Sequence, residues 1–365
     1  MPLCLLHRRI TMSRIFFLFS LFCMFSQTAY GETAFRQRLL DEQGARPLEM
    51  AVWYPTRQTG NPELVGDNVV SMGTHALLNA TPDNEVHPLL LLSHGYGGSW
   101  RNLNWLASLM AAQGYIVAAV NHPGTTFGNK NEAEAQRLWQ RPQDLRRVLD
   151  ALMTSPDIAG KIDPQRIAAV GHSLGGWTVI ELAGGRFDAD RFLQDCKLHS
   201  VLSGCKLLHT LGIDRQESAM PLSKDARDPR IKAIVSLDLG LARGFSPASL
   251  AQIAIPVLVM SAQSDSEELP ASLESAYLAR YIPQKQRRDV SVPGATHFSF
   301  MQLCKPGATE LIEQANPGEG IVCQDGGSVS RAAIHASLGR EIGEFVNQAL
   351  DFHPLNAGSP SGLTH

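Results

Sequence analysis

The chain has 365 residues and a formal net charge of −3, and hydrophobic residues make up 44% of it. That hydrophobic share is enough for the core of one large domain, and it excludes a disordered or collagen-like chain. The small negative charge creates no basic field, so no nucleic-acid partner is expected.

The N-terminus has the pattern of an export signal. Three arginines, Arg8, Arg9 and Arg14, precede an apolar run, IFFLFSLFCMF at 15–25, and the small-residue site AYG ends at Gly31. A signal peptide has basic, apolar and small residues in this order. The apolar run is too short to span a bilayer comfortably. We therefore predict a signal peptide at 1–31, an exported (periplasmic or secreted) protein, and no stable membrane insertion after the signal is removed.

Three alternatives concern the same segment. Met12 is a second candidate start, because MSRIFFLF has the features of a signal sequence by itself. A membrane anchor is the less favoured interpretation of the apolar run. Lipid attachment at Cys23 is disfavoured because the bulky Phe22 precedes it.

Short apolar runs alternate with helical stretches along the rest of the chain, 32–365. This alternation is typical of an α/β protein with a mostly parallel, doubly wound sheet and helices on both faces. The predicted strands are 46–55, 87–95, 115–121, 166–172, 231–238, 255–265 and 287–294, and the predicted helices are 102–114, 141–153, 173–185 and 331–350. A long loop is predicted at 56–87, a small cap insertion at 186–230 and a disulfide-stapled loop at 298–330.

Four cysteines remain after the predicted signal is removed. An even number in an exported chain predicts two disulfides, most simply Cys196 with Cys205 and Cys304 with Cys323. Sequence alone does not determine this connectivity. A zinc site is a weaker alternative because the pairs lack the CxxC spacing, and no metal is expected.

The stretch AAVGHSLGGW places Ser173 between two glycines, after a predicted strand and before a predicted helix. G-x-S-x-G in that setting is a tight turn that presents the serine hydroxyl at the carboxyl end of the sheet. The free N–H groups at the start of the helix favour a negative charge at the same place. Ser173 is therefore predicted to be a nucleophile, and a helix cap in a glycine-rich turn is the alternative.

The general base is expected later in the chain than the nucleophile, in the order serine, acid, histidine. His297 fits, because it lies in VPGATHFSF directly after the last predicted strand. His172 is adjacent to the nucleophile, and its side chain is expected to pack the turn. His122, in NHPGTT, is expected to shape a loop near the site.

Two aspartates are candidates for the acid that orients His297. Asp265 ends the predicted strand IPVLVMSAQSD, and Asp238 ends IKAIVSLD, one strand earlier. Both lie at carboxyl ends of strands, where a doubly wound sheet presents functional groups. We expect Asp265, because the usual place for the acid is the loop after the strand that precedes the last one. For either residue, a carboxylate that caps a turn is the alternative.

The glycine-rich segment SHGYGG, at 93–98, follows the first buried strand. Its glycines allow backbone N–H groups to converge, so the N–H groups of Tyr96 and Leu174 are predicted to form an oxyanion hole. An ordinary turn between strand and helix is the alternative.

Together, VWYP, LLLSHGYGG, GYIVAAVNHPG, RPQDL, VGHSLGG, PVLVMSAQSD and GATHFSF resemble secreted bacterial α/β-hydrolases over roughly residues 35–351. These are often named predicted dienelactone hydrolases and are related to platelet-activating-factor acetylhydrolases. The resemblance implies the α/β-hydrolase fold and a serine ester hydrolase, with Ser173 and His297 as nucleophile and base. Dienelactone hydrolases use cysteine, which disfavours their substrate here. The acetylhydrolase arrangement of the acid matches Asp238, and that of most other α/β-hydrolases matches Asp265.

We therefore expect an exported carboxylic-ester hydrolase that forms an acyl-enzyme, needs no cofactor and acts on short-chain or small soluble esters. Its partner is a small-molecule ester, and the sequence does not indicate an oligomeric state. Alternatives within the fold are an acetylhydrolase or lipase acting on phospholipid and a serine peptidase or amidase. A binding module that kept the fold and lost the chemistry is the alternative of a different class.

Overall fold

The computed structural model describes residues 32–264 and 266–354. Their strands form one ten-stranded sheet. The predicted signal peptide at 1–31 and Asp265 lie outside the described residues. The strands are β1 (Glu32–Leu40), β2 (Leu48–Thr56), β3 (Glu63–Val65), β4 (Thr74–Leu78), β5 (Val86–Ser93), β6 (Ile116–Asn121), β7 (Lys161–His172), β8 (Ala233–Leu237), β9 (Val257–Ala262) and β10 (Arg287–Val292).

Helices connect the strands and cover the sheet. They are α1 (Asn104–Ala112), α2 (Glu132–Ala135), α3 (Gln140–Thr154), α4 (Leu174–Ala183), α5 (Ala189–Leu198), α6 (Ser203–Lys206), α7 (Gln216–Ser223), α8 (Pro247–Leu250), α9 (Ser275–Tyr281), α10 (Ala308–Ala315) and α11 (Arg331–Ala349). Within the described ranges, no helix is long and apolar enough to cross a membrane.

The sheet is mostly parallel, as predicted. Its strand order is β10-β9-β8-β7-β5-β6-β2-β1-β4-β3. All neighbours from β10 to β6 pair in parallel, whereas β2 is antiparallel to both β6 and β1. The carboxyl ends of β5, β7, β8, β9 and β10 therefore meet at one edge of the sheet, which is where a doubly wound fold places its functional groups.

The central strands are buried on both faces, which explains their continuous apolar runs. In β5, Leu89 and Leu91 belong to the cluster that includes α3 and α4, and Leu90 and Leu92 to the cluster that includes α1 and α11. Each of these leucines is at most 1% exposed. Full burial of one leucine contributes about 2 kcal/mol, so this strand anchors both layers of helices.

The predicted loop at 56–87 is wrong in part, because it contains the short strands β3 and β4. These strands lie at the far end of the sheet and expose many of their residues, so they lack the apolar pattern of the central strands. The first strand, β1, was not predicted either.

Both expected disulfides are present in the structure. Cys196 in α5 is bonded to Cys205 in α6, and Cys304 is bonded to Cys323. The first bond lies within the segment 186–230, which forms α5, α6 and α7 before the chain enters β8. A cap function for this segment remains a prediction.

Candidate active site

Ser173 lies in the turn between β7 and α4, with backbone angles φ 57° and ψ −119°. A positive φ is uncommon for a residue with a side chain, and such strain costs about 1–3 kcal/mol. The flanking glycines allow the turn to form. A Cβ on Gly171 would lie 1.9 Å from the carbonyl oxygen of Gly175, and a Cβ on Gly175 would lie 1.9 Å from that of Ser93. The sequence G-x-S-x-G is therefore a steric requirement of this turn.

His297 lies within hydrogen-bond distance of Ser173. Its Nε2 is 3.0 Å from the Ser173 Oγ, and its side chain is 18% exposed. His297 begins a short 3₁₀ helix after β10, and a capping box between Thr296 and Ser299 fixes the start of that helix. The structure thus brings the predicted base to the predicted nucleophile.

Asp238 occupies the position behind His297. Its Oδ2 accepts a hydrogen bond of 2.7 Å from His297 Nδ1, and its Oδ1 accepts one of 2.9 Å from the Ala262 N–H. The carboxylate is 5% exposed, and the backbone of Asp238 has a φ of 43°. Both oxygens are therefore fixed by separate donors, and only one of them faces the imidazole.

The contact at His297 Nδ1 favours the alternative acid, Asp238, over the expected Asp265. The structure places the alternative, Asp238, at Nδ1, and Asp265 lies outside the described residues. The physical reason is the position of the carboxyl end of β8, which Asp238 directly follows. This strand is the direct neighbour of β7, and the last residue of β9, Ala262, donates its N–H to Asp238. The expectation of Asp265 rested on the order of the strands, and that order contains no information about the hydrogen bond from Ala262 to Asp238.

The hydrogen bonds specify the tautomer of His297. A carboxylate only accepts, so Nδ1 must carry the proton that it donates to Asp238. Nε2 is then free to accept the proton of the Ser173 hydroxyl. This is the tautomer that a general base for a serine nucleophile needs.

The segment SHGYGG lies beside the nucleophile. A Cβ on Gly95 would be 3.0 Å from the Ser173 Cβ, so the absence of a side chain lets this loop approach the serine. Leu174 is the first residue of α4. Within the described residues, neither the Tyr96 N–H nor the Leu174 N–H has a hydrogen-bond partner, so both amides are available to an anionic oxygen.

The other two histidines near the site are buried and play different parts. His172 donates from Nε2 to the His297 carbonyl over 2.8 Å, and burial, followed by the neighbouring imidazole of His297, lowers the pKa of His172 to about 3. His122 bonds through Nδ1 to Asp144 and through Nε2 to Ser93, both at 3.0 Å. Burial and then the nearby Arg141 hold the pKa of His122 well below its usual range.

A cavity of about 420 Å³ adjoins the loop that carries Tyr96. It is lined by residues of the loop that carries Tyr96, the segment after β6 and the segment 186–230, namely Tyr96, Gly124, Lys130, Glu132, Ala135, His209 and Thr210. Neither Ser173 nor His297 lines this cavity. In the part of the chain that the structure describes, no group of three or more His, Cys, Asp or Glu residues could hold a metal ion.

Comparison with known proteins connects this geometry to a family. The model of the Alpha/beta hydrolase family matches residues 89–304. Cutinase est1 of Thermobifida alba is 30% identical over 108 residues, which are 29% of this chain and 33% of the cutinase. The platelet-activating factor acetylhydrolase of Cavia porcellus is 26% identical over 138 residues, 27% of this chain and 32% of that protein. The chain thus spans about a third of the length of the curated relatives it matches.

The solved structure of a ferulic acid esterase from Streptomyces cinnamoneus is similar over nearly the whole chain. The two superpose with a TM-score of 0.61 at 22% sequence identity, covering 92% of this chain and 95% of the esterase. At that identity the likeness establishes the fold, which is the α/β-hydrolase fold expected from the sequence.

Proposed function

Because the chain belongs to the alpha/beta hydrolase family, we propose that it is a carboxylic-ester hydrolase with Ser173, His297 and Asp238 as its catalytic triad. The observation that carries the proposal is the continuous chain of hydrogen bonds from the Ser173 hydroxyl through the imidazole to the carboxylate. Asp238 replaces Asp265 as the proposed acid. The relatives named cutinase and acetylhydrolase support ester hydrolysis.

The proposed reaction proceeds through an acyl-enzyme. The Ser173 Oγ attacks the acyl carbon while His297 Nε2 takes its proton, and Asp238 stabilises the imidazolium that forms. The N–H groups of Tyr96 and Leu174 bind the oxyanion of the tetrahedral intermediate. His297 then protonates the leaving alkoxide. In the second half of the reaction, water activated by His297 attacks the acyl-enzyme, and the carboxylic acid and free Ser173 are released.

The substrate proposed is a short-chain or small soluble ester. The relatives named cutinase and acetylhydrolase support an ester substrate, and the cavity beside Tyr96, which neither Ser173 nor His297 lines, adjoins the site. The chemistry derived above uses protein side chains and water alone, so no cofactor is proposed. An exported location, periplasmic or secreted, is proposed as well, because disulfides persist in oxidising compartments and the described residues contain two.

The decisive test uses Ser173→Ala, with Ser223→Ala as the matched control because Ser223 is an exposed serine of α7. Hydrolysis of p-nitrophenyl acetate and butyrate should be lost in the first variant and retained in the second. A fluorophosphonate probe should label the wild type on the peptide that contains Ser173. Turnover by a folded Ser173→Ala protein, or labelling at another residue, would contradict the proposal.

A further inference from the structure

Arg141, in the first turn of α3, is a buried cation behind the active site. It is 1% exposed, and its guanidinium donates four hydrogen bonds. The Nε bonds to the Thr178 Oγ1 at 3.0 Å, and one terminal nitrogen bonds to the Thr125 Oγ1 at 2.6 Å. The other terminal nitrogen bonds to the Ser93 Oγ at 3.2 Å and to the carbonyl oxygen of His94.

These acceptors belong to the three segments that meet behind Ser173. Ser93 and His94 are the end of β5 and the start of the glycine-rich loop, Thr125 lies in the loop after β6, and Thr178 lies in α4. One planar group therefore connects the loop that carries Tyr96 to the helix that carries Leu174. A guanidinium can do this because its donors form a rigid fork, which an ammonium group does not have.

The contacts of His94 extend the connection to the next peptide. His94 Nε2 accepts the His122 N–H at 3.1 Å, so its proton lies on Nδ1, which donates to the Gly95 carbonyl at 2.6 Å. A peptide group is planar, with its N–H opposite its C=O. Holding the Gly95 carbonyl toward His94 therefore turns the Tyr96 N–H away from His94.

A buried cation is expensive unless it is compensated. Burial lowers the pKa of Arg141, and the Asp144 carboxylate one turn later in α3 opposes that shift. Asp144 is itself held by Arg46, at 2.7 and 2.8 Å, and by His122. The four donors of Arg141 thus have four acceptors, and its counterion is held in place by other residues. An arrangement of this cost is not expected for a residue that only fills space.

We infer that Arg141 is a positioning residue for the oxyanion hole. Through the His94 carbonyl and the Ser93 and Thr178 hydroxyls, it sets the position and direction of the Tyr96 N–H relative to the start of α4. The inference depends on the proposed ester hydrolysis for its kinetic consequence, but its structural consequence can be measured without turnover.

The kinetic test compares Arg141→Met with Arg36→Met. Arg36 lies in β1, is also buried, and donates to four carbonyl oxygens that belong to Asp157, Ile158, Asn79 and Ala80, outside the active site. Arg141→Met should lower kcat for p-nitrophenyl butyrate by about 10–100-fold with little change in KM, because it disturbs an oxyanion donor. The inhibition constant of a trifluoromethyl ketone, whose bound hemiketal oxygen occupies the hole, should rise by the same factor. Arg36→Met should lower thermal stability and leave both quantities within about threefold of the wild type.

The structural test follows the Tyr96 amide by NMR of protein labelled with nitrogen-15 tyrosine, which contains only six tyrosines. The Tyr96 signal should shift or broaden in Arg141→Met and stay in place in Arg36→Met. If Arg141→Met does not fold, Arg141→Lys is judged by the same criteria, because it keeps the charge and loses the fork.

An unchanged Tyr96 signal with unchanged kcat and inhibition would overturn the inference, as would equal kinetic losses in the Arg36 variant. A wild-type protein without Ser173-dependent hydrolysis would instead refute the proposed function, and the Tyr96 signal would still decide the positioning role.

Discussion

Replacing Asp238 by Asn should nearly abolish hydrolysis, for a reason that lies in the two oxygens of the carboxylate. Oδ1 accepts the Ala262 N–H at 2.9 Å, so in the variant the amide oxygen must take that position. The amide NH₂ then faces His297 Nδ1, where Oδ2 accepts at 2.7 Å in the wild type. Nδ1 is forced to accept, the imidazole proton moves to Nε2, and Nε2 can no longer take the proton of Ser173.

The wrong tautomer costs a serine hydrolase about 10⁴ in kcat, or about 5.5 kcal/mol of transition-state stabilisation. We expect a loss of that size for Asp238→Asn, with KM for p-nitrophenyl butyrate changed by less than about tenfold because the substrate does not touch the acid. The assay compares Asp238→Asn, Asp265→Asn and the wild type at equal folded concentration, measured by circular dichroism. Asp265→Asn should retain most of the activity.

A folded Asp238→Asn protein with nearly normal kcat would refute the tautomer reasoning. If Asp265→Asn were the inactive variant, the acid assignment made from the strand order alone would be right and the one made from the contact with His297 would be wrong.

Four further measurements bear on the fold and the site. Gly175→Ala should prevent folding or remove activity, because its Cβ would lie 1.9 Å from the Ser93 carbonyl oxygen, whereas Gly327→Ala, with nothing within 4 Å, should keep the melting temperature. Burial raises the pKa of Glu181 well above its usual value. The stability that its neutral form contributes is therefore fully present below the pKa of Glu181 in the unfolded chain, and it is lost as pH rises through the pKa in the folded protein. The melting temperature of Glu181→Gln minus that of the wild type should therefore increase between about pH 5 and pH 8, and a constant difference would contradict this. Thiol titration of denatured, unreduced protein lacking residues 1–31 should detect no free thiol, and two or more per chain would rule out the pairing. Turnover should decline for acyl chains longer than octanoyl or so, and a rate that rises steadily beyond decanoyl would point to a lipid substrate instead.

The layered α/β fold was predictable because central parallel strands must be apolar on both faces. The runs around Leu89–Leu92 and Ala168–Val170 therefore contrast clearly with the helices between them. Ser173 and His297 were predictable for a related reason. Ser173 directly follows such a strand, and His297 lies shortly after β10, a parallel strand whose carboxyl end is at the same edge of the sheet.

The remaining features depend on contacts that the sequence does not encode locally. The proposed choice of Asp238 rests on its contact with His297 and on the N–H of Ala262, on the neighbouring strand, which holds its second oxygen. Without these contacts, two aspartates at strand ends look alike. Arg141 was assigned to a helix and given no role, because buried arginines are rare and only tertiary structure reveals the acceptors around it. The strands β3 and β4 were missed because they are short and partly exposed at the far end of the sheet, so they lack the apolar signature.

The hydrogen bonds of the site join distant parts of the chain. Ser173 and His297 are separated by 124 residues, and Asp238 and His297 by 59. Contacts of such long range close large loops and accumulate late in folding, because their entropic cost must be overcome first. In the proposed mechanism, Ser173 has no base until the chain beyond β10 has docked, so no ester can be turned over before that step. The recovery of turnover during refolding therefore reports when this final docking step occurs. It should lag behind the recovery of the helical signal in circular dichroism.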